Sequence, residues 1–238
     1  VRKRLGACGA AITAAAILVA STAGSAAAAH VTPSAAITPQ ENRALLRQSD
    51  LALHYAHMTR TYTEDLGSGR RPTACQNPVD GTTASPKKAA RQALFKEMAF
   101  PAGIVWQNTV FFYASPKAAQ AAFREMARTA VARCNMSKVM NIGTDGDVVR
   151  ARVTLKSTML VPKQGITRLG VEYDTSLVSS SSVNPMYADS YDYSVYAVDR
   201  NFITRVGVVQ IAPIEKVEYS DAETAVLAVV KRVARLGE

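Results

Sequence analysis

Between Val148 and Ala212 the chain offers four strand-length runs, VVRARVTLKS, ITRLGVEYDTSLV, SYDYSVYAVDR and FITRVGVVQIA. In the first, Val149, Ala151, Val153 and Leu155 alternate with Arg150, Arg152, Thr154 and Lys156, the pattern of a strand with one dry and one wet face. SSSSVNPM reads as a loop and the DRN at Asp199–Asn201 as a tight hairpin turn, so the runs follow one another as an antiparallel series. Upstream, RQALFKEMAFPAGIVWQNTVFFYASP reads as two more strands around a turn at Pro101–Gly103. In the second of these, Val105, Gln107, Thr109 and Phe111 share one face, and Trp106, Asn108, Val110 and Phe112 the other. A Gln and an Asn among apolar neighbours suit a strand whose faces are unequally dry.

Three helices are predicted. Thr38 caps the first, Pro39 suits its first turn and Glu41 reaches back to the cap, with the helix carried through NRALLRQSDLALHY. Ser115 caps the second and Pro116 starts it. Phe123, Met126, Ala127, Ala130, Val131 and Cys134 then fall at helical spacing, opposite Lys117, Arg124, Arg128 and Arg133. The third starts at Ser220 with Glu223 as a second capping box, and buries Ala225, Val226, Val229, Val230, Val233 and Leu236. Helix, two strands, helix, four strands, helix is an α+β order: an antiparallel sheet of about six strands with helices packed against it.

The chain opens with the layout of a secretory signal. Arg2, Lys3 and Arg4 precede an apolar stretch from Leu5 to about Ala20, and small Ala27 and Ala29 precede His30. Cleavage is expected between Ala29 and His30, giving a leader over 1–29, a flexible linker over 30–40 and one domain over 41–238. Cys8 lies before the apolar core, the wrong place for a lipid anchor. Loss of the three basic leader residues takes Lys+Arg from 28 to 25 against 19 Asp+Glu, a net charge of +6. No other run is long enough to span a bilayer, so the mature chain is expected to have no transmembrane segment and to be secreted, extracellular or wall-associated. Cys75 and Cys134 are then the remaining cysteines, and in an oxidising compartment an even pair reads as one disulfide. Zinc usually takes four ligands, and beside these two the mature chain offers His54, His57 and the terminal His30, with no C-x-x-C to anchor a site. A nucleophilic cysteine would need a histidine partner and would be at risk from its neighbour.

Catalytic signatures are missing: no G-x-S-x-G, H-E-x-x-H, P-loop or dinucleotide fingerprint occurs. His54 and His57 stand at i, i+3, a weak metal pair without a carboxylate, and read as ordinary surface residues. GTDGD at Gly143–Asp147 resembles part of a calcium loop but lacks the closing glutamate, and reads as a polar turn. YADSYDYSVY suggests carbohydrate binding; its alternating Tyr191, Tyr193 and Val195 read better as one sheet face. Lys87, Lys88 and Arg91 make a basic patch that reads as solvated, with nucleic acid not expected. No catalytic residue, metal ligand or cofactor is therefore assigned.

RALLRQSDL near the domain start, a cysteine loop, an aromatic strand and YASPKAAQAAFREMARTAVARC ending in cysteine together resemble the PknH-like extracellular sensor domains of actinobacteria, as does the helix behind VGVVQIAPIEKVEYSDAETAV. The resemblance covers about Ala44 to Leu236. It implies an α+β sheet with a cleft, a sensor-like role without catalysis, and a disulfide matching Cys75–Cys134; a second family bridge has no counterpart, and no kinase segment is present. The expectation is a secreted, non-catalytic ligand-binding module whose partner is a small molecule or a cell-wall component. The rivals are a secreted hydrolase and a wall-associated interaction protein.

Overall fold

The computed structural model describes residues 38–51, 58–142, 149–180, 190–211 and 219–237. The leader, the Ala29–His30 junction, His54, His57 and Gly143–Asp147 lie outside the described residues. The elements are α1 (Pro39–Ala44), β1 (Arg60–Gly67), β2 (Gln92–Ala99), β3 (Ile104–Phe112), α2 (Pro116–Arg133), β4 (Met136–Asn141), β5 (Val149–Lys163), β6 (Ile166–Ser180), β7 (Ser190–Asp199), β8 (Phe202–Ile211) and α3 (Tyr219–Ala234).

The eight strands form one antiparallel sheet in the order β1-β2-β3-β8-β7-β6-β5-β4. The chain first makes a three-stranded meander, β1 to β3. Helix α2 then carries it to the far edge, and β4 to β8 walk back until β8 pairs with β3. The expected six strands are thus eight, and the two unforeseen ones, β1 and β4, are the sheet edges. Edge strands are wet on one side and seldom alternate cleanly; β4 buries none of its residues fully.

Helices cover both faces. On one, α1 and α3 pack over Leu94, Met98, Trp106, Val110, Tyr193, Val195, Val206 and Val208. Ala225, Val226, Val229, Val230 and Val233 of α3 are buried there as their spacing predicts, and each buried valine stabilises by about 1.5–3 kcal/mol relative to exposure. On the other face, Phe123, Met126, Ala127 and Ala130 of α2 pack over Phe111, Leu155, Leu169, Tyr196 and Ile203. Val131, assigned to that stripe, is 40% exposed instead. Cys75 and Cys134 are joined, with their Cα atoms 6.3 Å apart. Asn77 Nδ2 adds a bond to the Arg133 carbonyl at 2.8 Å, so the 68–91 loop is held to the end of α2 twice.

Local chemistry sets several boundaries as expected and tertiary contacts move others. Ser115 Oγ accepts from the Ala118 amide, and the Thr38–Glu41 capping box is complete. Yet α1 stops at Ala44 instead of continuing toward Tyr55. Arg232 of α3 donates to the carbonyls of Ala44 and Leu45 and binds the Asp50 carboxylate, while Asn108 Oδ1 accepts from the Leu46 amide at 3.1 Å. These partners satisfy the backbone groups a longer helix would have used. At α3 the described helix already includes Tyr219, and the Glu223 carboxylate accepts from Arg168 Nη1 at 2.9 Å. β5 outruns its predicted end by six residues; Pro162 fits there because β4 pairs no further than Leu155.

Candidate polar site on the sheet face

The α2 face is apolar only in part. The register places Tyr62, Glu97, Gln107, Gly207 and Ser194 side by side across β1, β2, β3, β8 and β7. The neighbouring rows add Arg205 and Asp192. Among the described residues, the apolar packing under α2 takes in Leu155, Leu169, Val171 and Tyr196 and stops short of this corner.

A continuous hydrogen-bonded chain crosses it. Arg60 Nη2 donates to Glu97 Oε1 at 3.0 Å, and Gln107 Nε2 donates to Glu97 Oε2 at 3.2 Å. Arg205 Nη1 donates to Gln107 Oε1 at 3.3 Å, while its Nε and Nη2 donate to Ser194 Oγ at 3.1 and 2.9 Å. Ser194 Oγ donates onward to Asp192 Oδ1 at 3.0 Å, and the other Asp192 oxygen lies 3.7 Å from Arg205 Nη2. Gly207 makes this course possible. A Cβ there would stand 2.6 Å from Ser194 Oγ and 3.1 Å from Arg205 Nη2. Without one, the guanidinium lies across the backbone between its partners.

Arg60 at the outer end is 69% exposed, whereas Glu97, Arg205 and Asp192 are largely buried, with side-chain exposures of 20%, 22% and 33%. Burial raises the Asp192 carboxyl above its ordinary range, opposed by the Arg205 charge and the Ser194 hydrogen bond. Burial raises Tyr173 beside it, aided by the Asp192 charge. Tyr196 is pushed up to about 12, first by burial, and its hydroxyl donates to the Thr73 carbonyl at 2.6 Å, tying the cysteine loop to the rim of the corner. At the outer end, the Tyr62 ring is 49% exposed and leans on Phe95 with centroids 6.3 Å apart.

The residues singled out in the sequence are elsewhere. Tyr191 and Tyr193 share a face as expected, but it is the α3 face, where they are buried in the core. Lys87, Lys88 and Arg91 are exposed on the loop. Among the described residues no group of three His, Cys, Asp or Glu could hold a metal ion, and no helix is long and apolar enough to cross a membrane. Of the corner, only Gln107 was marked in advance, as a polar residue in an apolar strand; Asp192 and Ser194 lie in the YADSYDYSVY run, on the side that the tyrosine alternation does not report.

No family model matches the chain, and no curated protein matches it. Among solved structures it is similar to the extracellular domain of PknH from Mycobacterium tuberculosis. The similarity covers 82% of this chain and 94% of that one at 10% identity, with a TM-score of 0.47. This distant likeness of chain trace assigns no residue a role.

Proposed function

We propose that this chain is an exported, non-catalytic binding module that holds a polar ligand, a small molecule or a cell-wall component, on the corner around Gly207. The observation that carries the reading is the five-strand chain from Arg60 to Asp192. Half-buried polar groups are desolvated for no gain in apolar packing, an arrangement typical of a surface that orients a ligand. Arg205 uses only part of its five-donor fork in the bonds described, and the Glu97 and Asp192 oxygens have lone pairs to spare. The absence of catalysis is supported by Ser194: its hydrogen goes to Asp192 and its oxygen already accepts twice from Arg205, which leaves no activated nucleophile. Export is supported by the leader-like opening and by the Cys75–Cys134 bridge.

The test is intact mass. The full chain is expressed in an exporting actinobacterial host, recovered from the medium, and weighed under native and denaturing conditions beside Gly207→Ser. A native excess present in the parent and absent in the variant supports the reading. Equal masses, with no rise in Tm against a panel of small polar compounds and linear oligosaccharides, overturn it.

A further inference from the structure

We infer that the corner takes a neutral polyhydroxylated ligand, a linear oligosaccharide, laid across β1, β2, β3, β8 and β7 with one sugar ring against Tyr62. The inference rests on the binding reading above and adds the ligand's chemical class. Charge argues first. Both guanidiniums at the corner are already matched to carboxylates, Arg60 to Glu97 at 3.0 Å and Arg205 to Asp192 at 3.7 Å. Glu64, bonded to the Tyr62 hydroxyl at 2.9 Å, adds a further negative charge. The basic excess of the whole chain is therefore not focused here, and among the described residues of the corner no unneutralised cation awaits a phosphate or carboxylate.

The remaining hydrogen-bonding capacity points the same way. Donor and acceptor alternate along the row: the Arg60 fork, the Glu97 carboxylate, the Gln107 amide, the Arg205 fork and the Asp192 carboxylate. A vicinal diol is donor and acceptor on adjacent atoms and can bond to each group in turn without carrying a charge into a half-buried site. Length argues next. From β1 to β7 the row crosses four inter-strand gaps of about 4.8 Å, roughly 19 Å in all, the reach of several linked sugars and far longer than one. The half-exposed Tyr62 ring, braced by Phe95, ends the row with an apolar face suited to the C–H face of a pyranose.

The experiment probes the exported full chain on an array of linear neutral oligosaccharides and, separately, titrates it with inorganic phosphate and with succinate. The expected result is array binding that weakens about tenfold or more in Tyr62→Ala, survives in Tyr62→Phe, and is lost in Gly207→Ser. A blank array together with phosphate or succinate binding that Gly207→Ser removes overturns the carbohydrate class and leaves the binding reading standing. Oligosaccharide binding indifferent to all three variants overturns the site. Failure of both probe classes overturns the inference, and the native-mass comparison then decides the binding reading by itself.

Discussion

Arg205 donates twice to the Ser194 hydroxyl, from Nε at 3.1 Å and from Nη2 at 2.9 Å, across a backbone position where only glycine leaves room. Arg205 and Gly207 are two residues apart on β8, so the side chain runs along its own strand to reach β7. The Arg205–Ser194 stretch of the polar row depends on that missing Cβ.

Gly207→Ala therefore pushes the Ser194 hydroxyl aside and dislodges the guanidinium. The backbone itself is not strained, since Gly207 is not in the left-handed region. The expected cost is about 1–3 kcal/mol from overpacking, read as a lower urea midpoint with an unchanged m-value. A variant as stable as the parent contradicts the described packing.

Asn108 is wholly buried and makes three bonds: it accepts from the Leu46 amide and donates to Thr204 Oγ1 and the Arg205 carbonyl, at 3.1, 3.0 and 2.8 Å. Asn108→Leu leaves the buried Leu46 amide without this acceptor and takes a donor from Thr204 Oγ1, which still donates to the Thr109 carbonyl at 3.3 Å. It is expected to destabilise by about 2–4 kcal/mol and to raise amide exchange at Leu46, where the segment after α1 is fastened.

Two buried tyrosines should titrate alike and yet differ in what their hydroxyls contribute at neutral pH. Tyr113 and Tyr196 are both held at about 12, chiefly by burial, against an ordinary value near 10. The unfolded chain releases these protons first, so their contribution to stability is intact below pH 10 and is lost as pH rises toward 12. Absorbance titration should show late phenols of which Tyr113→Phe and Tyr196→Phe each remove one. Tyr113 Oη has no partner among the described residues, so Tyr113→Phe should leave neutral-pH stability unchanged or improve it by up to about 1 kcal/mol. Tyr196→Phe loses the Thr73 bond and should cost about 1 kcal/mol. Equal effects of the two changes would refute this contrast.

Cys134→Ser is expected to lower stability by up to about 4 kcal/mol under oxidising conditions, as suits a bridge across 59 residues. In reductant the variant and the parent should melt together. A drop of the same size in both states would mean that Cys134 matters for packing, not for the bridge. The same oxidised sample gives the intact mass, expected to start at His30 and to be lighter by the two thiol hydrogens.

Where the chain's short-range pattern carries burial, it was readable in advance. The cap at Ser115 marks the start of α2, and the valine stripe of α3 and the Val149–Leu155 alternation report which side of an element is dry; the structure has that start and those dry sides where the sequence puts them. β1 and β4 escaped notice because an edge strand need not alternate. The end of α1 was misjudged because Arg232 and Asn108, far along the chain, compete with the helix for its backbone groups. Val131 has helical spacing but falls on the shoulder of the stripe: Ala130 and Cys134 on either side of it are buried while it is exposed.

By itself, then, the sequence determined the kinds of element, their dry faces and an even cysteine pair, because these follow from periodicity and counting over a few residues. Tertiary structure alone decided the strand order and, with it, the polar corner. Arg60, Glu97, Gln107, Asp192 and Arg205 come from five strands and meet only when β8 closes against β3. A local pattern reports that a side chain will leave water; which distant side chain it meets is set by register, and register is a property of the assembled sheet.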